Sequence, residues 1–239
     1  MSCRMLIAVG QFRMSQLLED FKFMAQNKNE KHEYNENNPN FIHADGWGIV
    51  LKRSGRIEQY KKDAACWKDP MFSEYSNVPT DFVVLHARRA SPGSTVSYNF
   101  THPFQREDWY FCHNGTIYDF DITEKSDSEQ FFARLLDTMN KETDVKNALR
   151  KTVNETKSYS ALNFILTNGK RTYILNKHGK DKNGIEHPKY YTMKYLKDEK
   201  SVIVSSEVLP TFHGNWKQIN NDKLIEQDLN SLEMTIQDV

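Results

Sequence analysis

The chain has 239 residues, 38% of them hydrophobic and 12% aromatic, enough for a packed core in one large domain, and with no linker that forces a split we read 1–239 as a single domain. Its 32 Lys and Arg balance 32 Asp and Glu, which argues against steering toward nucleic acid or an anionic membrane and favours a small, locally recognised substrate. The apolar stretch Met5 to Val9 is too short for a signal peptide or a membrane span, so a cytoplasmic location is expected, and three cysteines without CxxC spacing (Cys3, Cys66, Cys112) argue against a disulfide framework and a structural zinc site.

In chain order, the pattern predicts a strand over Cys3 to Gly10. A helix over Ser15 to Gln26 follows, with Leu17, Leu18, Phe21 and Met24 at helical spacing. Asn27 to Phe41 is polar and reads as a loop. Strands at Gly46 to Lys52 and Ile57 to Lys61 flank a hairpin turn at Arg53-Ser54-Gly55-Arg56. Another strand runs into His86. Trp109 to His113 reads as a strand ending at Asn114-Gly115, Asp127 to Met139 as a helix, and Val145 to Thr156 as a second helix. Four strands follow, at Ala161 to Thr167, Thr172 to Asn176, Tyr190 to Tyr195 and Val202 to Ser205; the tail after Trp216 carries no clear pattern. Strands, two helices and strands again point to an α+β fold of two antiparallel sheets with packed helices, not a doubly wound parallel sheet.

Three features together carry chemistry. They are Cys3, the arginines of LHARRASPG (Leu85 to Gly93) and the Asn-Gly of HPFQREDWYFCHNGTIYDF (His102 to Phe120). A nucleophilic thiol, an arginine fork for a carboxylate and an oxyanion stabiliser form the set needed to cleave an amide through a thioester. Each has a plain reading when taken alone. An isolated buried cysteine is more often inert, Asn-Gly is most commonly a hairpin turn, and Ser126 or Asp127 can simply cap the helix that follows. Arg89 reads better as a strand-end residue in surface ion pairs. Trp47 and Gly48 fit core packing at least as well as a pocket floor. His86, His102 and His113 show no HxH or HxxxH spacing with a carboxylate; they read as histidines lining or bracing a pocket, and neither a metal nor a cofactor is expected.

Seven motifs then occur in one order: Cys3-Arg4, DGWG (Asp45 to Gly48), HARRAS (His86 to Ser91), NFTHPF (Asn99 to Phe104), HNGTI (His113 to Ile117), SDSE (Ser126 to Glu129) and VSSE (Val204 to Glu207). In this the chain resembles the class II glutamine amidotransferases, N-terminal nucleophile hydrolases with a four-layer αββα fold, and in particular their short stand-alone members. The resemblance implies catalytic roles for Cys3 as nucleophile and for Asn114 and Gly115 as oxyanion hole. It implies substrate binding by Arg88 on the α-carboxylate of glutamine, by Asp127 on the α-ammonium, and by His86 and Ser91. The implied activity is hydrolysis of glutamine or a γ-glutamyl amide, with water as acceptor. Supply of ammonia to a separate synthase subunit, or silent ligand binding, are the alternatives. The family's nucleophile uses its own free α-amine as base, whereas Met1 and Ser2 precede Cys3 here. Either both are removed, or translation starts later, or the chain is catalytically weak.

Overall fold

The computed structural model describes residues 2–36, 38–91, 94–121 and 125–239. Strand β1 (Ser2–Gly10) leads to α1 (Met14–Ala25), the hairpin β2 (Trp47–Arg53) and β3 (Arg56–Lys62), the short helix α2 (Pro70–Glu74) and β4 (Phe82–Arg89). Then come β5 (Phe104–Arg106), β6 (Trp109–Asn114), α3 (Asp127–Met139), α4 (Val145–Glu155), β7 (Asn163–Thr167) and β8 (Arg171–Asn176). The chain closes with α5 (Pro188–Tyr191), β9 (Lys194–Lys197), β10 (Ser201–Ser205), β11 (Lys217–Gln218), β12 (Lys223–Asp228) and β13 (Met234–Asp238). Two antiparallel sheets result, ordered β11-β9-β10-β1-β4-β2-β3 and β13-β12-β8-β7-β6-β5.

Residue patterning explains the layering. β1 and β4 are apolar on both faces because both faces are covered, unlike the one-sided strands of a solvated sheet. Leu6 and Ala8 of β1, with Val83 and Leu85 of β4, pack under Leu17 and Phe21 of α1. The alternate residues Met5, Ile7, Phe82 and Val84 meet Cys112, Ile165 and Ile174 of the second sheet. That sheet's outer face, including Phe111 and Phe164, lies under Phe131 and Phe132 of α3 and Leu149 of α4. The order helix, sheet, sheet, helix is the expected αββα stack. Helix α3 starts where the sequence places it, with the Ser126 side chain accepting from the Glu129 backbone N–H, as a capping residue should.

Three segments differ from the sequence reading. Tyr190 to Tyr195 is not one strand: Pro188 opens the helical turn α5, both tyrosines turn inward, and the strand begins only at Lys194. Aromatic strand preference yields here to burial of two large rings. The tail contains β12, whose Leu224 enters the outer core while Ile225 enters the core between the sheets. The three-residue β5, at a sheet edge, is too short to leave a period in the sequence.

Candidate active site

Strand alternation selects which side chains can meet. Met5, Ile7 and Val9 face the second sheet, so Cys3, in step with them along β1, faces it too. By the same period His86 and Arg88 follow Phe82 and Val84 of β4, and Asn114 follows Cys112 of β6, all onto the inner faces at one end of the sandwich. Register completes the arrangement. Cys3 pairs with Arg88 and Met5 with His86, and across the gap between the sheets the Cys3 backbone N–H donates to Asn114 Oδ1 at 2.8 Å. Cys3, His86, Arg88 and Asn114 are each at most 1% exposed.

That hydrogen bond fixes the orientation of the Asn114 amide. With Oδ1 engaged, Nδ2 donates to no described residue and remains available for an oxyanion. Asn114-Gly115 is also not a hairpin turn. Asn114 ends β6 with an ordinary backbone, and only Gly115 has positive φ, +149°. A Cβ on Gly115 would lie 2.0 Å from the Ala161 carbonyl oxygen, so only glycine fits. Gly115→Ala is therefore expected to lower stability by more than about 1 kcal/mol through overpacking, read as a lower denaturant midpoint; an unchanged midpoint would show that the loop can shift freely.

Asp127, at the first turn of α3, is 1% exposed. Its Oδ2 accepts from the Ile117 N–H at 2.8 Å and its Oδ1 from the Ser128 N–H at 2.8 Å, which ties the segment after Gly115 to the helix. Ser126, not Asp127, caps the helix, and the carboxylate keeps unused lone pairs. His113 points to the outer side of β6, where Nδ1 meets Ser128 Oγ at 2.8 Å and Nε2 meets the Ala161 carbonyl at 3.1 Å. Burial holds its pKa down at about 4. Ser91, two residues after Arg89, is half-buried and its carbonyl accepts from the Ser94 N–H. Pro92 and Gly93, which end the LHARRASPG stretch, lie outside the described residues.

Arg88 is the outlier of the site. Fully buried, it donates to two backbone carbonyls, Asp45 at 3.3 Å and Thr95 at 3.1 Å, while its Nε has no partner. No carboxylate pairs with it among the described residues. A buried unpaired guanidinium is costly unless an anion joins it. Arg89, by contrast, is not in a surface ion pair: it donates to the Ile42 carbonyl at 3.3 Å and stacks on Phe41, 4.3 Å from the ring centroid. Trp47 belongs to the core against α1, its indole donating to Asp69 at 2.9 Å. Gly48 lies beneath the His102 carbonyl, where a Cβ would approach to 2.3 Å.

A support layer under Cys3 escaped the sequence reading. Tyr190 donates from its hydroxyl to the Cys3 carbonyl at 2.9 Å and meets His43 Nε2 at 3.0 Å. Arg4 stacks on the Tyr190 ring at 4.0 Å and forms a buried ion pair with Glu207 at 2.6 Å. The motifs holding Arg4 and Glu207 were visible, but Tyr190 sat in a segment read as strand. Ser206 locks the same strand by accepting from the Met5 N–H at 3.0 Å.

Electrostatics leave the thiol protonated at rest. Burial pushes the Cys3 thiol up to about 11, against the opposing pull of the Arg89 backbone N–H and the Arg88 charge. Burial also holds His86 down at about 3 and His102 well below its ordinary value, so both imidazoles are neutral and weakly basic. Ligand atoms of Cys3, His86 and His102 all lie within 4.8 Å of one another. Cys66 and Cys112 are buried with their thiols pushed up, Cys66 to about 12, which suits inert core residues.

Solved structures share this architecture. The glutamine aminotransferase class-II domain protein of Silicibacter pomeroyi superposes with a TM-score of 0.64 at 17% identity over 99% of both chains. The glutamine phosphoribosylpyrophosphate amidotransferase of B. subtilis does so with 0.66 at 12% identity, over 99% of this chain and 49% of that one. At such identities the likeness establishes the N-terminal nucleophile hydrolase fold alone. A curated protein of Haemophilus influenzae named "Putative glutamine amidotransferase" is 28% identical over 149 residues, 53% of this chain and 50% of its own length. The chain thus spans about half the length of the curated relative it matches. The family model described as "Glutamine amidotransferases class-II" matches residues 34–227, most of the 239-residue sequence, and the chain belongs to the class II glutamine amidotransferases.

Proposed function

We propose that this protein is a glutaminase-type amidohydrolase that cleaves the side-chain amide of glutamine or a γ-glutamyl compound, with water as acceptor. The observation that carries this reading is Arg88, a buried, unpaired guanidinium directly across the strand pair from Cys3. Its fork suits the α-carboxylate of an amino acid, and Asp127 at the helix start suits the α-ammonium. Held by both charged groups of its amino-acid head, a glutamine presents the amide carbon at its other end to the thiol.

In this reading the form beginning at Cys3 is the active one. Its α-amine takes the thiol proton as sulfur attacks the amide carbon, and the developing oxyanion is received by Asn114 Nδ2 and the Gly115 N–H. The amine returns the proton to the departing nitrogen, giving ammonia and a Cys3 thioester. Water then adds to the thioester with the amine again as base, and glutamate leaves with the thiol restored. Tyr190 and the Arg4–Glu207 pair hold the Cys3 backbone for both steps. Three free cysteines support the reducing environment of the cytoplasm as its location. No helix among the described residues is long and apolar enough to cross a membrane.

Purified protein beginning at Cys3 is expected to release glutamate and ammonia from glutamine or from one of a panel of γ-glutamyl amides. No release alone but release with an added synthase would make it an ammonia-supplying subunit. Tight binding without turnover would make it a ligand-binding member. Arg88→Lys keeps the charge but loses the planar fork, so substrate binding should weaken more than tenfold, about 1.4 kcal/mol. Unchanged apparent affinity would remove Arg88 from the site.

A further inference from the structure

We propose that Cys3, His86 and His102 form a binding site for a borderline-soft divalent cation such as Zn2+, and that metal capture there reversibly blocks the nucleophile. The first observation is the cluster itself: one sulfur and two imidazoles, all fully buried, with ligand atoms within 4.8 Å of one another. Tetrahedral zinc, at about 2.0–2.1 Å from nitrogen and 2.3 Å from sulfur, needs such atoms about 3.3–3.6 Å apart. The longest separation therefore has to close by no more than about 1.5 Å, within reach of side-chain rotation.

The second observation is independent of proximity. His86 Nε2 lies 3.2 Å from the His113 carbonyl, a contact that assigns the proton to Nε2 and leaves Nδ1 as a lone pair. Nδ1 has no partner, and neither ring nitrogen of His102 has one. Three buried ring nitrogens without hydrogen bonds are an unusual concentration, since such groups are nearly always satisfied. A histidine whose far nitrogen donates to a backbone carbonyl while the near one is bare is arranged as metal-ligating histidines are. The His102 ring packs edge-on against the His86 ring, 4.3 Å between centroids, and against the Phe104 ring, 4.4 Å between centroids.

One sulfur and two nitrogens favour zinc-like ions over magnesium or calcium, which prefer oxygen. On binding, Cys3 loses its proton to solvent and its thiolate joins the metal. Three protein ligands leave a fourth position for water. Because the same sulfur must attack the amide, occupation by metal and formation of the thioester exclude each other. The site itself does not depend on which amide is the substrate.

Cobalt(II) added to the full chain tests this without any turnover. We expect one equivalent to bind with a thiolate-to-cobalt charge-transfer band in the near ultraviolet, and Zn2+ to displace it. Cys3→Ser should abolish the band while the far-ultraviolet circular dichroism is retained. His102→Gln should weaken Zn2+ affinity at least tenfold in competition with a chromophoric chelator. His86→Gln carries the same expectation and serves if the His102 variant fails to fold. In protein beginning at Cys3, Zn2+ should suppress glutamate release and a chelator restore it. Absence of a stoichiometric band, a band that survives Cys3→Ser, or Zn2+ affinity unchanged in both folded histidine variants would overturn the site. Since cobalt binding is read on unprocessed protein, a failed glutaminase assay would count against the proposed activity and leave the metal result standing.

Discussion

Protein beginning at Cys3 is expected to hydrolyse its amide substrate at about 1 per second or more, and protein retaining Met1 and Ser2 to run about 10²- to 10⁴-fold slower, the usual effect of a lost general base. In the longer form the Cys3 nitrogen is a peptide amide whose lone pair is delocalised into the preceding carbonyl, so it cannot take a proton, and its one hydrogen is donated to Asn114 Oδ1 at 2.8 Å. The thiol sits near 11 and cannot ionise unaided near neutrality, while the neighbouring imidazoles of His86 and His102 are held far below it by burial. Loss of the two leading residues turns the same nitrogen, already anchored, into an amine without moving β1. Intact mass identifies which form is in hand, and kcat on each form decides the point. A thiol-directed glutamine analogue should add once, at Cys3, only in the shorter form. Ordinary turnover by protein that still carries Met1 would mean that another group is the base, and His86 would be the next residue to replace.

Asn114→Ala is expected to lower kcat about 10²- to 10³-fold, the range for removal of one oxyanion donor, with KM little changed. The side chain uses Oδ1 to hold the Cys3 nitrogen and leaves Nδ2 for the intermediate. Both roles act on the reacting centre, and neither touches the amino-acid head that Arg88 and Asp127 would bind. A normal kcat would reduce Asn114 to a strand-end residue. A raised KM with kcat intact would place it instead in ground-state binding.

Much of the layout was legible because local periodicity reports local burial. The apolar runs of β1 and β4 and the helical spacing of α1 and α3 each follow from neighbours within a few residues, and α3 began and ended where its pattern placed it. Motif order along the chain likewise nominated Cys3, Arg88, Asn114, Gly115 and Asp127 as candidate site residues. Two meanings were not readable. Asn-Gly reads as a hairpin turn as easily as a strand end until Ala161, 46 residues further on, comes within 2.0 Å of the missing Cβ. Tyr190 looked like strand until the fold buried its ring against Arg4 and its hydroxyl against the Cys3 carbonyl.

The sequence by itself therefore determined the α+β layering and the family and nominated candidate site residues, because each rests on side-chain period, residue type or motif order. Tertiary structure alone decided which of those residues meet. His86 and His102 show no metal spacing along the chain; one sits on β4 and the other precedes β5 on the opposite sheet. Only the packing of two sheets face to face brings both beside Cys3, because contact across a sandwich depends on register and layer, which no local window of sequence records.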